Sequence, residues 1–333
     1  MARMAVKKRS KKKPVKQKHP QRSRVNRLVR LLFGGLILAV LAVGGIYYFG
    51  SFETRNALVD AAQRTLNQAR SAQWMPRIVS GSLDRLYDSV PLSEGLTVDG
   101  GELGRTLSPI LAGIPQSRKP IRVLQNMTYI NLYDERAKQP LCIAYRLSNA
   151  ESEAATVSPQ ILNDPRVASP RMQDLESNNW QATGLAPAAA LAREFGTTGA
   201  SETHLSSNFV PMPQSFVDGI WQQAILTITE EYPRRFDEVW IYTGPIYKAD
   251  SAQLANGILA PEAIYCIVFD LTDSGGLRAI AFTLPTTAGA ATSLQDCRSS
   301  IASIERATGL SFLPEIGFDA RDLLLNWVSP QLW

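Results

Sequence analysis

Residues 178–221 read NNWQATGLAPAAALAREFGTTGASETHLSSNFVPMPQSFVDGIW, and this stretch decides the fold. A Gly-Leu-Ala-Pro-Ala-Ala run, residues 184–189, leads into a short helical piece. After an apolar bend the chain continues as Ser-Asn-Phe-Val-Pro, residues 207–211, and then enters a new helix that carries Gly219 and Trp221. These two short motifs and the helix after them are the most informative part of the sequence.

These motifs resemble the core of the DNA/RNA non-specific endonucleases. In that family a ββα-metal core carries Asp-Arg-Gly-His-Leu-Ala-Pro-Ala, then Ser-Asn-x-x-Pro-Gln, and then Asn-x-Gly-x-Trp. The resemblance implies an α+β domain with a mixed or antiparallel central sheet flanked by helices. It also implies hydrolysis of DNA or RNA with the help of one Mg²⁺ ion, a hard cation that takes oxygen ligands.

The scaffold of both motifs is present, but the side chains that do the chemistry in the family are replaced. The general base must titrate near neutral pH, and the family's histidine for this role corresponds to Gly184. The family's phosphate-binding Arg corresponds to Ala182, and the Asp of the motif corresponds to Gln181. The metal-binding Asn corresponds to Val217, and the acidic residue one helical turn after the Trp corresponds to Ile225. We therefore expect no intact catalytic or metal site and no cofactor, with Mg²⁺ only if the site has been rebuilt.

Three other residues are candidates for a rebuilt site. His204 is the only histidine after residue 30, and we expect it on the strand that leads to Asn208. A lone His on a strand is more often packed or exposed than catalytic. Asn208 keeps a family position, although Asn at a strand end is commonly a turn former. Asp218 follows the lost metal ligand but points about 100° around the helix from Val217, so it would reach the same ion only if the helix rotated.

Further blocks extend the resemblance over residues 119–315. Residues 141–147 end in Ala-Tyr-Arg-Leu, residues 238–244 lead into Thr-Gly-Pro-Ile-Tyr, and residues 304–314 are similar to the family's closing Ile-Glu-x-x-Thr-Gly-x-x-Phe-x-Pro. The periodicity and turn residues predict the remaining elements. They are strands over residues 121–132, 261–271 and 277–284, a helix from Trp221 to about residue 231, and helices over residues 293–308 and 320–333.

The N-terminal part has the composition of a membrane anchor. Residues 1–30 hold 13 Lys or Arg and no acidic residue, which predicts a disordered, solvated tail. Residues 31–49 are uncharged over a length that spans a bilayer core as a helix, with aromatic residues at the far end. The positive-inside rule then places the N-terminus in the cytoplasm, and the basic tail would also contact anionic lipid head groups. We expect a single-pass inner-membrane protein with a periplasmic C-terminal domain.

The expected organisation therefore has five parts. The segment before the domain contains an amphipathic stalk helix, and its last part, residues 78–118, is interpreted as either packed on the domain or a semi-ordered linker. The parts are the tail (1–30), the transmembrane helix (31–49), the stalk and linker (50–118), the endonuclease-like domain (119–315) and a C-terminal docking helix (316–333).

The charge balance argues against nucleic acid as the main partner. The chain has 35 basic and 30 acidic residues, and without the 13 basic residues of the tail the balance is 22 against 30, a net charge of about −8. Nucleic-acid binding draws most of its affinity from Lys and Arg that neutralise phosphates. The sequence pI of about 9.1 is therefore no sign of a nucleic-acid protein, although a basic run can also be a nucleic-acid arm.

The cysteines give little functional information. Cys142, Cys266 and Cys297 are widely spaced and form no Cys-x-x-Cys motif. In an oxidising compartment, two of the cysteines could form one disulfide and leave one free thiol. The positions of Cys142 and Cys266 in strand centres instead indicate that they act as small buried hydrophobic residues.

Two hypotheses for function follow. The first is a membrane-tethered pseudoenzyme with the nuclease fold, which binds or scaffolds an unspecified protein partner or envelope component, because a fold alone does not confer activity. The second is an active, divergent Mg²⁺-dependent endonuclease with a rebuilt site. Nucleic-acid binding without cleavage is a weaker third hypothesis.

Overall fold

The structure, a computed structural model, describes residues 96–101, 103, 107–149, 160–168, 179–248, 250–254, 257–289 and 292–333. These residues belong to one compact unit. The tail, the transmembrane helix and the stalk helix expected from the sequence lie outside the described residues. Within the described part of the chain, no helix combines the length and the apolar character that a bilayer crossing requires.

A large antiparallel sheet lies at the centre of this unit. In chain order the strands are β1 (Val98–Asp99), β2 (Gln116–Ser117), β3 (Arg122–Gln125), β4 (Tyr129–Asp134), β5 (Gln139–Ser148), β6 (Trp180–Gly184), β7 (Phe209–Pro213), β8 (Glu238–Ile246), β9 (Ala263–Leu271), β10 (Gly276–Pro285), β11 (Arg298–Ser299) and β12 (Leu310–Ser311). The main sheet has the spatial order β1-β10-β9-β8-β5-β4-β3, and β11 pairs with β10. The pairs β6–β7 and β2–β12 form two small sheets.

In the described part of the chain, four helices accompany the strands. They are α1 (Ala188–Thr203), α2 (residues 214–236), α3 (Ile301–Thr308) and α4 (Phe318–Asn326). In α2, α-helical turns alternate with π-helical turns at Val217–Trp221 and Thr227–Glu231. This α+β architecture with an antiparallel sheet agrees with the fold class that the resemblance implied.

The sheet is covered on both faces. Successive side chains of a strand point to opposite sides, and every residue of β8 and β9 is buried. Trp240 and Tyr242 pack in one apolar cluster with residues of α3 and α4. Val239 and Ile241 pack in a second cluster with residues of β7 and α2. The domain therefore has three layers, with the sheet in the middle. The family motifs lie in the outer layer that contains β7 and α2.

Several element boundaries differ from the sequence-based expectation. The strand expected over residues 121–132 is two strands, β3 and β4, of which β3 lies at one end of the sheet and β4 lies between β3 and β5. The helix expected over residues 293–308 is a 3-10 turn, Leu294–Cys297, followed by β11 and α3. That prediction was wrong because Ser300 starts a new helix, with its Oγ accepting from the Ser303 N–H at 3.2 Å. Helix α2 also runs five residues beyond residue 231, to Phe236.

The folded unit includes residues before the expected start at Lys119. Strand β1 pairs with β10, and β2 pairs with β12. Leu111 is buried, and its N–H and its carbonyl oxygen both bond the hydroxyl of Tyr242 at 2.8 Å. The described part of residues 96–118 therefore packs on the domain, which is one of the two interpretations left open by the sequence.

The three cysteines are free and buried. Cys142 lies in the cluster on the α3 and α4 side of the sheet, whereas Cys266 lies in the cluster on the other side, so the two cannot form a disulfide with each other. Burial raises the pKa of both thiols to about 12, which keeps them protonated and unreactive at neutral pH. They act as small buried hydrophobes.

Candidate active site

The two motifs are brought together by a β-ribbon followed by a helix. Strands β6 and β7 pair in antiparallel register, with Gln181 opposite Met212 and Gly184 opposite Phe209. Helix α2 begins directly after β7, because Pro213 is extended and the next residues are helical. The arrangement of β6, β7 and α2 is a ββα unit, and it carries Gln181, Ala182 and Gly184 on β6 and Val217, Asp218 and Ile225 on α2.

Asn208 joins the two motifs. Its Oδ1 accepts from the Ala186 N–H at 2.8 Å, and its Nδ2 donates to the carbonyl oxygens of Ala186 at 3.1 Å and Thr203 at 2.8 Å. The residue is fully buried, so these bonds satisfy backbone groups that water does not reach. Asn208 ends a 3-10 turn, Ser206–Asn208, and its function here is to hold the backbone rather than to form the turn that the sequence suggested.

Gly184, at the position of the family's histidine, lies against this amide. A Cβ atom built on Gly184 would meet Nδ2 of Asn208 at 3.0 Å and the ring of Phe209 at 3.7 Å. The first distance is tighter than ordinary van der Waals contact, so a side chain at this position requires a small shift of the Asn208 amide. The backbone at Gly184 is therefore closely packed against the Asn208 amide.

Ala182, at the position of the family's arginine, is part of an apolar cluster. It packs with Ile161, Phe209 and Leu254 around the buried Ile258. On either side of residues 255 and 256, the Leu254 N–H bonds the Ile258 carbonyl at 2.7 Å and the Ala260 N–H bonds the Ala252 carbonyl at 2.8 Å. The neighbours of Ala182 are thus aliphatic and aromatic. Gln181 is half-buried on the same strand.

Val217 and Ile225, at the positions of the metal-binding Asn and the acidic residue, also make apolar contacts. Both are half-buried and pack against the cluster that contains Phe216 and Trp221. Val217 opens the first π-helical turn of α2, and Gly219 within it has φ −105° and ψ −112°, outside the helical region. Such π turns often mark functional sites, and this one begins at an apolar residue.

The candidate replacements do not converge on a site. His204 is not on a strand as expected: it is the C-cap of α1, because the helix continues through Thr203. Burial lowers the pKa of His204, and its Nδ1 is buried with no hydrogen-bond partner among the described residues. Asp218 is exposed, and its carboxylate accepts both bonds, at 2.9 and 2.8 Å, from the amide of Gln214. Among the described residues, no three His, Cys, Asp or Glu side chains lie together as metal ligands would.

Comparison with known proteins decides the family. The model of the family described as DNA/RNA non-specific endonuclease matches residues 113–317, more than half of the chain. The chain belongs to the DNA/RNA non-specific endonuclease family. It is 26% identical over 223 residues to the mitochondrial nuclease EXOG of Danio rerio, covering 61% of this chain and 64% of that protein. For the mitochondrial nuclease EXOG of Xenopus laevis the identity is 23% over 245 residues, covering 69% and 63%. The matches therefore span less than two thirds of these relatives' lengths.

A buried polar network supports the ββα unit of this endonuclease-family domain. The carboxylate of Asp164 accepts from Ser207 Oγ at 2.6 Å and from Nε and Nη2 of Arg166 at 2.8 and 2.7 Å. Arg166 also donates to the Gln125 carbonyl at 3.0 Å, which ties the network to the end of β3. Ser207 precedes Asn208, so the network fixes the approach to the amide that joins the motifs. The sequence carried no sign of it, because Asp164 and Ser207 are 43 residues apart.

Stability at acid pH is expected to depend on this network. Burial alone would raise the pKa of Asp164, but hydrogen bonds from Arg166 and Ser207 outweigh it and hold the pKa below its ordinary value. A lowered folded-state pKa contributes stability that is present above the unfolded-state pKa, about 3.9, and is lost as pH falls through the folded-state value. Urea unfolding from pH 6 to pH 2 should therefore show a shallower acid loss in Asp164→Asn than in the unchanged chain. Equal pH slopes would contradict this account.

Proposed function

We propose that the chain is a membrane-anchored, catalytically silent member of the endonuclease family, which uses the domain to bind or scaffold a partner. The observation that carries the proposal is the packing of Ala182, Val217 and Ile225. Their side chains lie in apolar contacts at the positions where the family binds phosphate and metal. An ion or a phosphate brought there would lose water without gaining charged or oxygen partners.

General-base catalysis also lacks support, because no candidate base in the described part of the chain is placed to take a proton from water. Gly184 has no side chain, and His204 is the cap of α1 with its Nδ1 buried. A general base must lie within hydrogen-bond reach of the attacking water. The domain also carries the acidic balance noted above, which disfavours a polyphosphate substrate. Mg²⁺ is therefore no part of the proposed function.

Anchoring in the inner membrane is supported by residues 31–49 and by the basic tail before them. With that topology the domain would lie in the periplasm, where it could hold a protein or an envelope component. The buried, protonated cysteines are compatible with an oxidising compartment because they are not exposed to oxidants.

Binding of Mn²⁺, which can replace Mg²⁺ at oxygen sites, tests the metal part of the proposal. The full chain in detergent micelles is titrated with Mn²⁺, and the free ion is followed by electron paramagnetic resonance. We expect no saturable, stoichiometric site, and the same curve for His204→Ala and Asp218→Ala. A stoichiometric site that disappears in Asp218→Ala would contradict the proposal and favour an active endonuclease with a rebuilt site.

A further inference from the structure

A cleft of about 660 Å³ opens on the side of the main sheet away from β6, β7 and α2. Its volume is in the range of about 300 to 1,000 Å³ that small-molecule sites occupy. Strands β2 and β12 and helices α3 and α4 all contribute to its lining, which is mostly polar. The family block at residues 304–314 supplies part of this lining, but none of the candidate catalytic or metal-binding positions lies in the cleft, so it is separate from the site discussed above.

One wall of the cleft is held by a fixed ion pair. Arg321 on α4 bonds Glu305 on α3 at 2.6 Å and also donates to Ser311 Oγ at 2.9 Å and to the Phe312 carbonyl at 2.8 Å. Glu305 in turn accepts from the Phe312 N–H at 2.7 Å. These bonds set the position of α4 against α3 and β12. The charge of Arg321 is balanced within the wall, so this arginine shapes the cleft rather than offering a free cation.

Two other arginines also line the cleft. Arg118 and Arg306 are exposed, and neither guanidinium has a partner among the residues that the structure describes. The Arg118 N–H reaches the Gly309 carbonyl at 3.4 Å, which places Arg118 beside the end of the helix that carries Arg306. Besides Glu305, the acid in the lining is the exposed Asp322, whose carboxylate accepts from the Asn326 amide at 3.1 Å. The cleft thus has a local excess of positive charge within an otherwise acidic part of the chain.

We propose that this cleft binds a small, soluble phosphate monoester of a polyol. Guanidinium groups match phosphate oxygens with two parallel hydrogen bonds, so Arg118 and Arg306 are assigned to the phosphate. In the same lining, Gln116 offers its amide group to the hydroxyls of the ligand, and Asn326, whose Nδ2 bonds Asp322, offers its Oδ1. The preformed wall around Arg321 and Glu305 lowers the cost of ordering the site on binding.

Isothermal titration calorimetry on the full chain in detergent micelles tests the proposal. The probes are glucose 6-phosphate, inorganic phosphate and glucose, applied to the unchanged chain, Arg118→Ala, Arg306→Ala and the double variant. Arg234→Ala is the matched control, since Arg234 is an exposed arginine on α2. We expect each cleft substitution to weaken glucose 6-phosphate binding about tenfold and the control to leave it unchanged. All variants carry the same basic tail, so phosphate binding by the tail does not change the differences in affinity between them.

Four results would overturn the proposal. The first is equal binding by the unchanged chain and the double variant. The second is a lower melting temperature of Arg306→Ala with no loss of affinity, which would show that the arginines only complement the end of α3. The third is binding to vesicles of equal parts phosphatidylcholine and phosphatidylglycerol that depends on both arginines while glucose 6-phosphate does not bind, which would identify a lipid head group instead. Equal affinities for inorganic phosphate and glucose 6-phosphate would remove the polyol from the assignment.

Discussion

Replacing Arg146 by Met is expected to lower the free energy of unfolding by about 3–5 kcal/mol. Arg146 on β5 donates to Glu238 on β8 at 2.8 Å and to Glu194 on α1 at 2.9 Å. The side chains of all three are at most 11% exposed. Removing the cation leaves two carboxylates in a buried place with their mutual repulsion uncompensated. Glu194 also accepts from the N–H and hydroxyl of Ser148, so the same loss loosens α1, which connects the two motifs.

Two controls separate this effect from a general loss of an arginine. Arg122→Met breaks an ion pair with Glu135 whose side chains are 50% and 60% exposed, and it should cost no more than about 1 kcal/mol. The triple variant Arg146→Met/Glu194→Gln/Glu238→Gln removes the unpaired charges and should recover most of the loss. The measurement is urea unfolding followed by circular dichroism. A loss for Arg146→Met that matches that of Arg122→Met would refute the buried network.

The second large effect is expected for Asn208→Asp, an almost isosteric change. The oxygen that replaces Nδ2 would face the carbonyl oxygens of Ala186 and Thr203, which now accept from that amide. Two buried acceptors lose their donor and a charge is added, so the free energy of unfolding should fall by about 3 kcal/mol or more at neutral pH. The loss should be smaller at a pH low enough to protonate the new carboxyl, which can then donate one bond.

Gln214→Glu provides the same amide-to-acid change at an exposed position. Its side chain bonds Asp218 one turn away, and the new like-charge pair should cost only about 0.5 kcal/mol. Thermal and urea unfolding of both variants is the measurement. If Asn208→Asp lowered the free energy of unfolding by no more than Gln214→Glu does, Asn208 would not hold the two motifs together.

The contrast between Asn208 and its neighbours explains which parts of the motifs persist. Asn208 satisfies buried backbone groups, so its loss would destabilise the fold whatever the function. Ala182, Val217 and Ile225 are half-buried, and their apolar side chains pack against the neighbouring clusters. We therefore expect substitutions of the Asn208 amide to be more destabilising than polar substitutions at these half-buried positions.

The sequence predicted those features that depend on local patterns. The hairpin over residues 261–284 and the order of the family blocks follow from short runs with clear turn residues, and the structure shows β9 and β10 there. The contact of Ala182 with Ile258 was not predictable, because it joins segments far apart in the chain through small apolar residues that carry no motif. The position of His204 was misjudged since α1 continues across Gly196, where φ is 65°, and ends only at Thr203.

Plasmid nicking by the purified full chain, with Mg²⁺ or Mn²⁺ in detergent micelles, tests the central claim most directly. We predict that supercoiled DNA stays intact at the level of a buffer control, for the unchanged chain and for His204→Ala alike. Metal-dependent cutting by the unchanged chain would contradict the claim of a silent site. If that cutting also persisted in His204→Ala, it would exclude the one histidine after residue 30 as the replacement base.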